Sequence, residues 1–237
     1  YRVVEETNCY SATTAASLVI SDCQAIAPTS TDVYICVGDD TKSSKLTATK
    51  NASSAVTSYH LAWLSIDPVG KVGSLTGLAN GTDNVSPLSY FPTIDRSISG
   101  ETSYYAAEYD KTNDCWSAGK LVTIHVVDTP DVTISSPLHI CAKGSEKVPV
   151  TVSPQNGTLS ASSGTISGFD WLPGEYTGAN LATAFTYVVN SAAYGDGTVC
   201  TSTKTSPTTA HYMEFPTVVD KSWLIGNIVG IPESYMT

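Results

Sequence analysis

The chain has 237 residues, 41% of them hydrophobic and only 14% charged, with a formal net charge of −10. That apolar content excludes a disordered chain, and the acidic balance excludes nucleic acid as a partner, since a phosphate backbone would repel it. No apolar run approaches the roughly 18–20 residues of a membrane helix, so membrane insertion is not expected either.

Ser and Thr fill the places that charges usually take, which reads as many short strands joined by polar turns. The chain opens on strand-like runs at Tyr1-Arg2-Val3-Val4 and Ser17-Leu18-Val19-Ile20. Lys45–Thr49 alternates as an early strand, and Tyr59–Ser65 follows with Trp63 at its centre. The insertion between Pro68 and Pro92 holds Leu75, Leu78, Leu88, Tyr90 and Phe91 among Gly, Ser and Asn. Long loops on rigid sandwiches often carry binding, so it is the candidate recognition loop; the alternative is that it adds irregular strands. Thr102–Tyr109 and Gly119–Val127 read as a closing hairpin. Lys147–Val152 is a further strand, which Pro149 restricts to an edge or a strand start, and Ala182–Val189 is a strong one. Gly195-Asp196-Gly197 reads as a hairpin turn, and no stretch of ten or more residues has helical periodicity.

A repeat organises these strands. Cys9-Tyr10-Ser11-Ala12 recurs as Cys115-Trp116-Ser117-Ala118, and Ile35-Cys36 recurs as Ile140-Cys141. The period of about 105 residues is the size of an immunoglobulin-type sandwich. The expected fold is all-β, with tandem immunoglobulin-like antiparallel β-sandwiches. In this frame residues 1–22 are the terminal strands of a preceding module and 23–32 a linker. Residues 33–128 form one module, 129–130 a second linker and 131–220 another module. Residues 221–237 are a tail or the start of a further module, and the chain is expected to be an internal segment of a longer polypeptide.

Six cysteines without a CxxC pair or a zinc-spaced His predict disulfides in an oxidising, extracellular setting. The frame pairs Cys36 with Cys115 and Cys141 with Cys200. Cys9 would bridge to the absent part of its own module, leaving Cys23 over, or the two would pair with each other. A Cys36–Cys115 bond would also bring Asp39 and Asp40 towards Asp114, where their oxygens would suit calcium. Solvated turn carboxylates are the alternative, and no other cofactor is expected. The four histidines lack metal-ligand spacing, and no nucleophile motif or paired carboxylate stands out, so no enzyme is expected.

The run Thr102-Ser103-Tyr104-Tyr105, Cys115-Trp116-Ser117 and Val122-Thr123-Ile124-His125-Val126 resembles the end of immunoglobulin-like repeats in very large surface adhesins of Bacteroidota. Ile35-Cys36-Val37-Gly38 with Leu46-Thr47-Ala48 is similar to their start. Asn156-Gly157-Thr158, Phe169-Asp170-Trp171-Leu172-Pro173, Tyr187-Val188-Val189 and Cys200-Thr201-Ser202 look like a second repeat type of the same proteins. The resemblance implies the fold, type 9 secretion, a role in gliding or attachment, and no catalytic residue. The expected partners are neighbouring modules or subunits and a polysaccharide or other surface ligand. Two alternatives stand beside it. One is a carbohydrate-binding module of a secreted enzyme, which a row of exposed aromatics would favour and which Trp63, Trp116, Trp171 and Trp223 do not supply. The other is a self-assembling fibre subunit with a donated N-terminal strand.

Overall fold

The computed structural model of the chain describes residues 23–69, 71, 73, 75–135, 139–141, 147–173, 181–206 and 210–213. The expectations for residues 1–22 with Cys9, and for 221–237, lie outside the described residues, as does the side chain of Cys141. The chain divides into two compact units, one comprising Tyr1–Asp128 with Tyr194–Thr198 and the other Thr129–Ala193 with Val199–Thr237. Among the described residues every regular element is a β-strand, so the protein is all-β.

The first unit holds β1 (Val33–Cys36), β2 (Leu46–Ala48), β3 (Tyr59–Leu64), β4 (Ala79–Asn80), β5 (Leu88–Tyr90), β6 (Gly100–Asp110), β7 (Cys115–Trp116) and β8 (Lys120–Val127). One sheet runs in the order β1-β8-β6-β3-β4, with β7 alongside β6, and β2 pairs β5 in a second. Alternation sorts the side chains by face. Leu61 and Trp63 of β3, Tyr104 and Ala106 of β6, and Val122 and Ile124 of β8 bury with Ile35 against Leu46 and Ala48 of β2. Leu88 and Tyr90 of β5 pack onto the same core, so the two sheets lie face to face. Ala62, Leu64, Ala107 and Trp116 form a smaller cluster on the opposite face of the large sheet.

The second unit holds β9 (Thr133–Ser135), β10 (His139–Cys141), β11 (Val148–Pro149), β12 (Thr151–Ser153), β13 (Thr158–Ala161), β14 (Thr165–Ser167), β15 (Asp170–Leu172), β16 (Leu181–Thr183), β17 (Phe185–Asn190), β18 (Thr201–Thr205) and β19 (Ala210–Met213). Its small sheets are β10-β19-β16, β11-β15-β14, β12-β9 and β13-β17-β18. Trp171, Phe185 and Tyr187, all fully buried, form its core with Val132, Val150, Val152 and Leu159. The Trp171 ring meets Phe185 edge-on at 5.4 Å, and its Nε1 donates to Ser163 O at 2.8 Å.

Two pairings depart from the expected antiparallel pattern. β1 runs parallel to β8, with Val33 opposite Ile124 and Cys36 opposite Val127. β10 runs parallel to β19 in the same way, with His139 opposite His211 and Cys141 opposite Met213. A tight hairpin forces neighbours to be antiparallel, whereas strands from opposite ends of a unit are joined by enough chain to run the same way.

Candidate functional site

Cys115 bridges Cys23, at a Cα–Cα distance of 5.9 Å. The expected Cys36–Cys115 bond is therefore corrected, and the parallel sense of β1 explains why. Cys36 sits opposite Val127, at the far end of β8, while Cys115 precedes the near end at Lys120. Eight residues of strand, roughly 26 Å, separate the two places. Cys23 reaches Cys115 because the segment expected as a linker packs on the first unit. Thr29 and Thr49 exchange backbone hydrogen bonds at 2.8 and 2.9 Å, Asn51 Nδ2 donates to Ala27 O, and Ala25 packs on the core. Cys36 and Cys200 are also disulfide-bonded.

The same separation undoes the convergence of the acidic residues. Asp39 Oδ1 accepts from the Thr41 hydroxyl at 2.6 Å and from the amides of Thr41 and Lys42, and the Thr41 hydroxyl does most to hold its carboxyl below the ordinary value. Asp114, with a φ of 51°, accepts from Tyr109 OH instead, and that bond pushes the tyrosine pKa up to about 12. Asp40 lines a shallow cleft with Ile94 and Arg96. Among the described residues no three His, Cys, Asp or Glu side chains come together as a metal site.

The candidate recognition loop contributes β4 and β5 to the first unit. Leu88 and Tyr90 pack on the main core and Leu75 on the smaller cluster, while Leu78 and Phe91 remain exposed.

A different group of side chains converges at the edge of the large sheet. Tyr34 on β1 lies opposite His125 on β8, and their rings stack at 4.5 Å and 9°. Tyr194 stacks on the Tyr34 ring, at 5.1 Å and 14°. A tight turn presents Tyr194: its N–H donates to Thr198 O, Gly197 N–H donates back to Tyr194 O, and Gly197 takes the φ of 81° that an unbranched backbone allows. Asp196 pins this turn to β1. Its Oδ2 accepts from Tyr34 N–H at 3.2 Å and from Lys42 Nζ at 3.0 Å. Burial works against the Asp196 charge, but the Thr198 hydroxyl, the Lys42 ammonium and the Thr198 and Tyr34 amides outweigh it and hold the carboxyl below its usual range.

Clefts flank the stack. One of about 460 Å³ is lined by Ser99, Glu101, His125, Asp128 and Tyr194, among others. Another of about 250 Å³ includes Asp32, Tyr34, Lys120 and Gly195. His125 Nδ1 donates to Glu101 Oε1 at 2.9 Å, the tautomer that a carboxylate partner selects. Asp32 Oδ1 accepts from Thr123 N–H at 2.9 Å. Sequence reasoning missed this group because Tyr34 and Tyr194 are far apart in the chain and share no motif. A search for an aromatic row confined to tryptophans passed over two tyrosines and a histidine. No family model matches this chain, and none of the curated proteins compared with it is similar in sequence.

Proposed function

We propose that this chain is a non-enzymatic, extracellular stalk and attachment segment of a bacterial surface adhesin or filament, built from tandem immunoglobulin-like sandwiches. The all-β units, the buried Trp63 on β3 and the β6–β8 pairing support the immunoglobulin-like reading. So does Tyr187, whose hydroxyl donates to Pro154 O and accepts from Gly157 N–H, tying a strand back to an upstream turn.

The Cys23–Cys115 bond carries the stalk reading. Its ends lie on either side of β2 to β6 in the chain. Tension entering from the N-terminal side reaches Cys23, crosses the sulfur bridge and leaves through the already extended β8. The strands β1 to β6, enclosed between the two cysteines, thus lie outside the load path, which β8 alone of the core strands carries. A disulfide of this kind suits an oxidising compartment, and a load-bypassing one suits a protein held under pull.

The three-ring stack favours a second reading, a carbohydrate-binding module attached to a secreted enzyme. Location and context separate the two. Antibodies against the purified chain should label intact, unpermeabilised cells that produce it. Labelling that appears only after lysis would sink the surface assignment, and labelling of the culture fluid alone would favour the secreted module.

A further inference from the structure

The geometry points to the cleft beside Tyr194 as a binding groove for an uncharged oligosaccharide chain, an assignment that rests on the attachment reading above. Four observations converge on it. The first is an aromatic platform. Tyr34 stacks on both His125 and Tyr194, and Tyr194, the outer ring, is partly exposed and lines the cleft. The C–H face of a pyranose is apolar and faintly positive, and it settles on the electron-rich face of a tyrosine.

The second observation is preorganisation. The Tyr194 turn is fastened by Asp196 to Tyr34 and Lys42, so the ring is held in place before a ligand arrives. Little ordering is then left to oppose binding. The third is the lining. Glu101 and Asp128 bring carboxylates, Ser99 a hydroxyl and His125 an imidazole to one cleft. Neighbouring sugar hydroxyls donate to carboxylates in charge-assisted pairs, which are about twice as strong as neutral hydrogen bonds. A volume of about 460 Å³ falls within the usual span of ligand sites, and its mixed lining sets polar side chains beside Val126, Val127 and the Tyr194 ring.

The fourth observation is charge. Among the described residues that line the two clefts, Glu101, Asp128 and Asp32 bring three carboxylates and Lys120 one ammonium, on a chain of net charge −10. Uronates, sulfated glycans and acidic peptides are repelled. An uncharged glycan is not: its C–H face settles on the tyrosine ring while its hydroxyls donate to the carboxylates. A basic peptide is the competing occupant, and octalysine tests it.

The test titrates the oxidised 237-residue chain with cellohexaose, laminarihexaose, mannohexaose and xylohexaose, following backbone amides by NMR. Tri-galacturonate and octalysine serve as charged comparisons. At least one uncharged hexaose should shift the amides of Tyr34, Gly100, Val127 and Gly195. Tyr194→Ala should weaken that binding about tenfold, and Tyr194→Phe, which keeps the ring, should stay close to the parent. Glu101 is 69% exposed in its side chain, so Glu101→Gln leaves the fold alone and should weaken binding about fivefold. The assignment is overturned if no uncharged hexaose moves these amides at about 10 mM. Binding that ignores both Glu101→Gln and Tyr194→Ala, or a response to octalysine alone, also overturns it. Cell labelling does not depend on this titration. A surface-exposed chain that binds no glycan loses the groove and keeps the stalk, and a glycan-binding chain found only inside cells does the reverse.

Discussion

Glu108 lies on β6 with no exposure to solvent, an unusual place for a carboxylate. Its Oε1 accepts from Ser54 Oγ at 2.7 Å, Lys50 Nζ stands 3.8 Å away, and Oε2 has no hydrogen-bond partner among the described residues. Burial raises its pKa, and Ser54 and Lys50 offset this only in part. The folded protein therefore holds the Glu108 proton more tightly than the unfolded chain does. Stability from this group is fully present below the ordinary glutamate value of 4.5 and is lost as pH rises through the higher folded value. Urea midpoints taken from pH 4 upward should show a falling contribution that Glu108→Gln removes. An unchanged pH profile in that variant would show that the buried carboxyl is not the cause. Thr102–Tyr109 was legible in the sequence as a strand of the closing hairpin, but nothing local marked Glu108 as buried. Its even-numbered register, shared with Tyr104 and Ala106, puts it on the core face.

Among the elements, the Cys23–Cys115 bond ties the segment before β1 to β7 and closes a loop spanning 92 residues. Replacing both cysteines with serine should cost on the order of 2–4 kcal/mol, read from urea denaturation of the parent and the double variant. Equal midpoints would mean that the loop is held as well without the bond. The strands themselves were largely legible, because a period of two fixes which side chains bury. Lys45–Thr49, Tyr59–Ser65 and the Thr102–Val127 hairpin reappear as β2, β3 and the β6–β8 pair. Two runs read as single strands are in fact divided. Lys147–Val152 divides at Val150: β11, which ends on the donor-less Pro149, pairs β15, and β12 pairs β9. Ala182–Val189 divides at Ala184, where β16 pairs β19 and β17 pairs β13 and β18. Alternation continues through both divisions, so the change of partner left no local signal. The parallel sense of β1 was equally silent, and so was the distance it sets between Cys36 and Cys115, which the repeat frame had paired.

For the molecule as a whole, the load path sets what stretching can release. Pulled from its two ends in oxidising buffer, the chain should give no extension step from β2 to β6. In reductant a further gain of at least roughly 300 Å should appear, the contour of the 92-residue loop. Single-molecule pulling in both buffers makes the comparison, and a step of that size without reductant would show that the bridge does not carry the load. The same closed loop also governs what a protease can achieve. The turn from Thr82 to Pro87 is exposed and lies between Cys23 and Cys115. A cut there opens the backbone but leaves both halves on one covalent molecule, so whatever the second unit carries stays attached to whatever precedes Cys23. Damage of this kind would be invisible on a non-reducing gel and would split the chain in two only once the sulfur bond is broken.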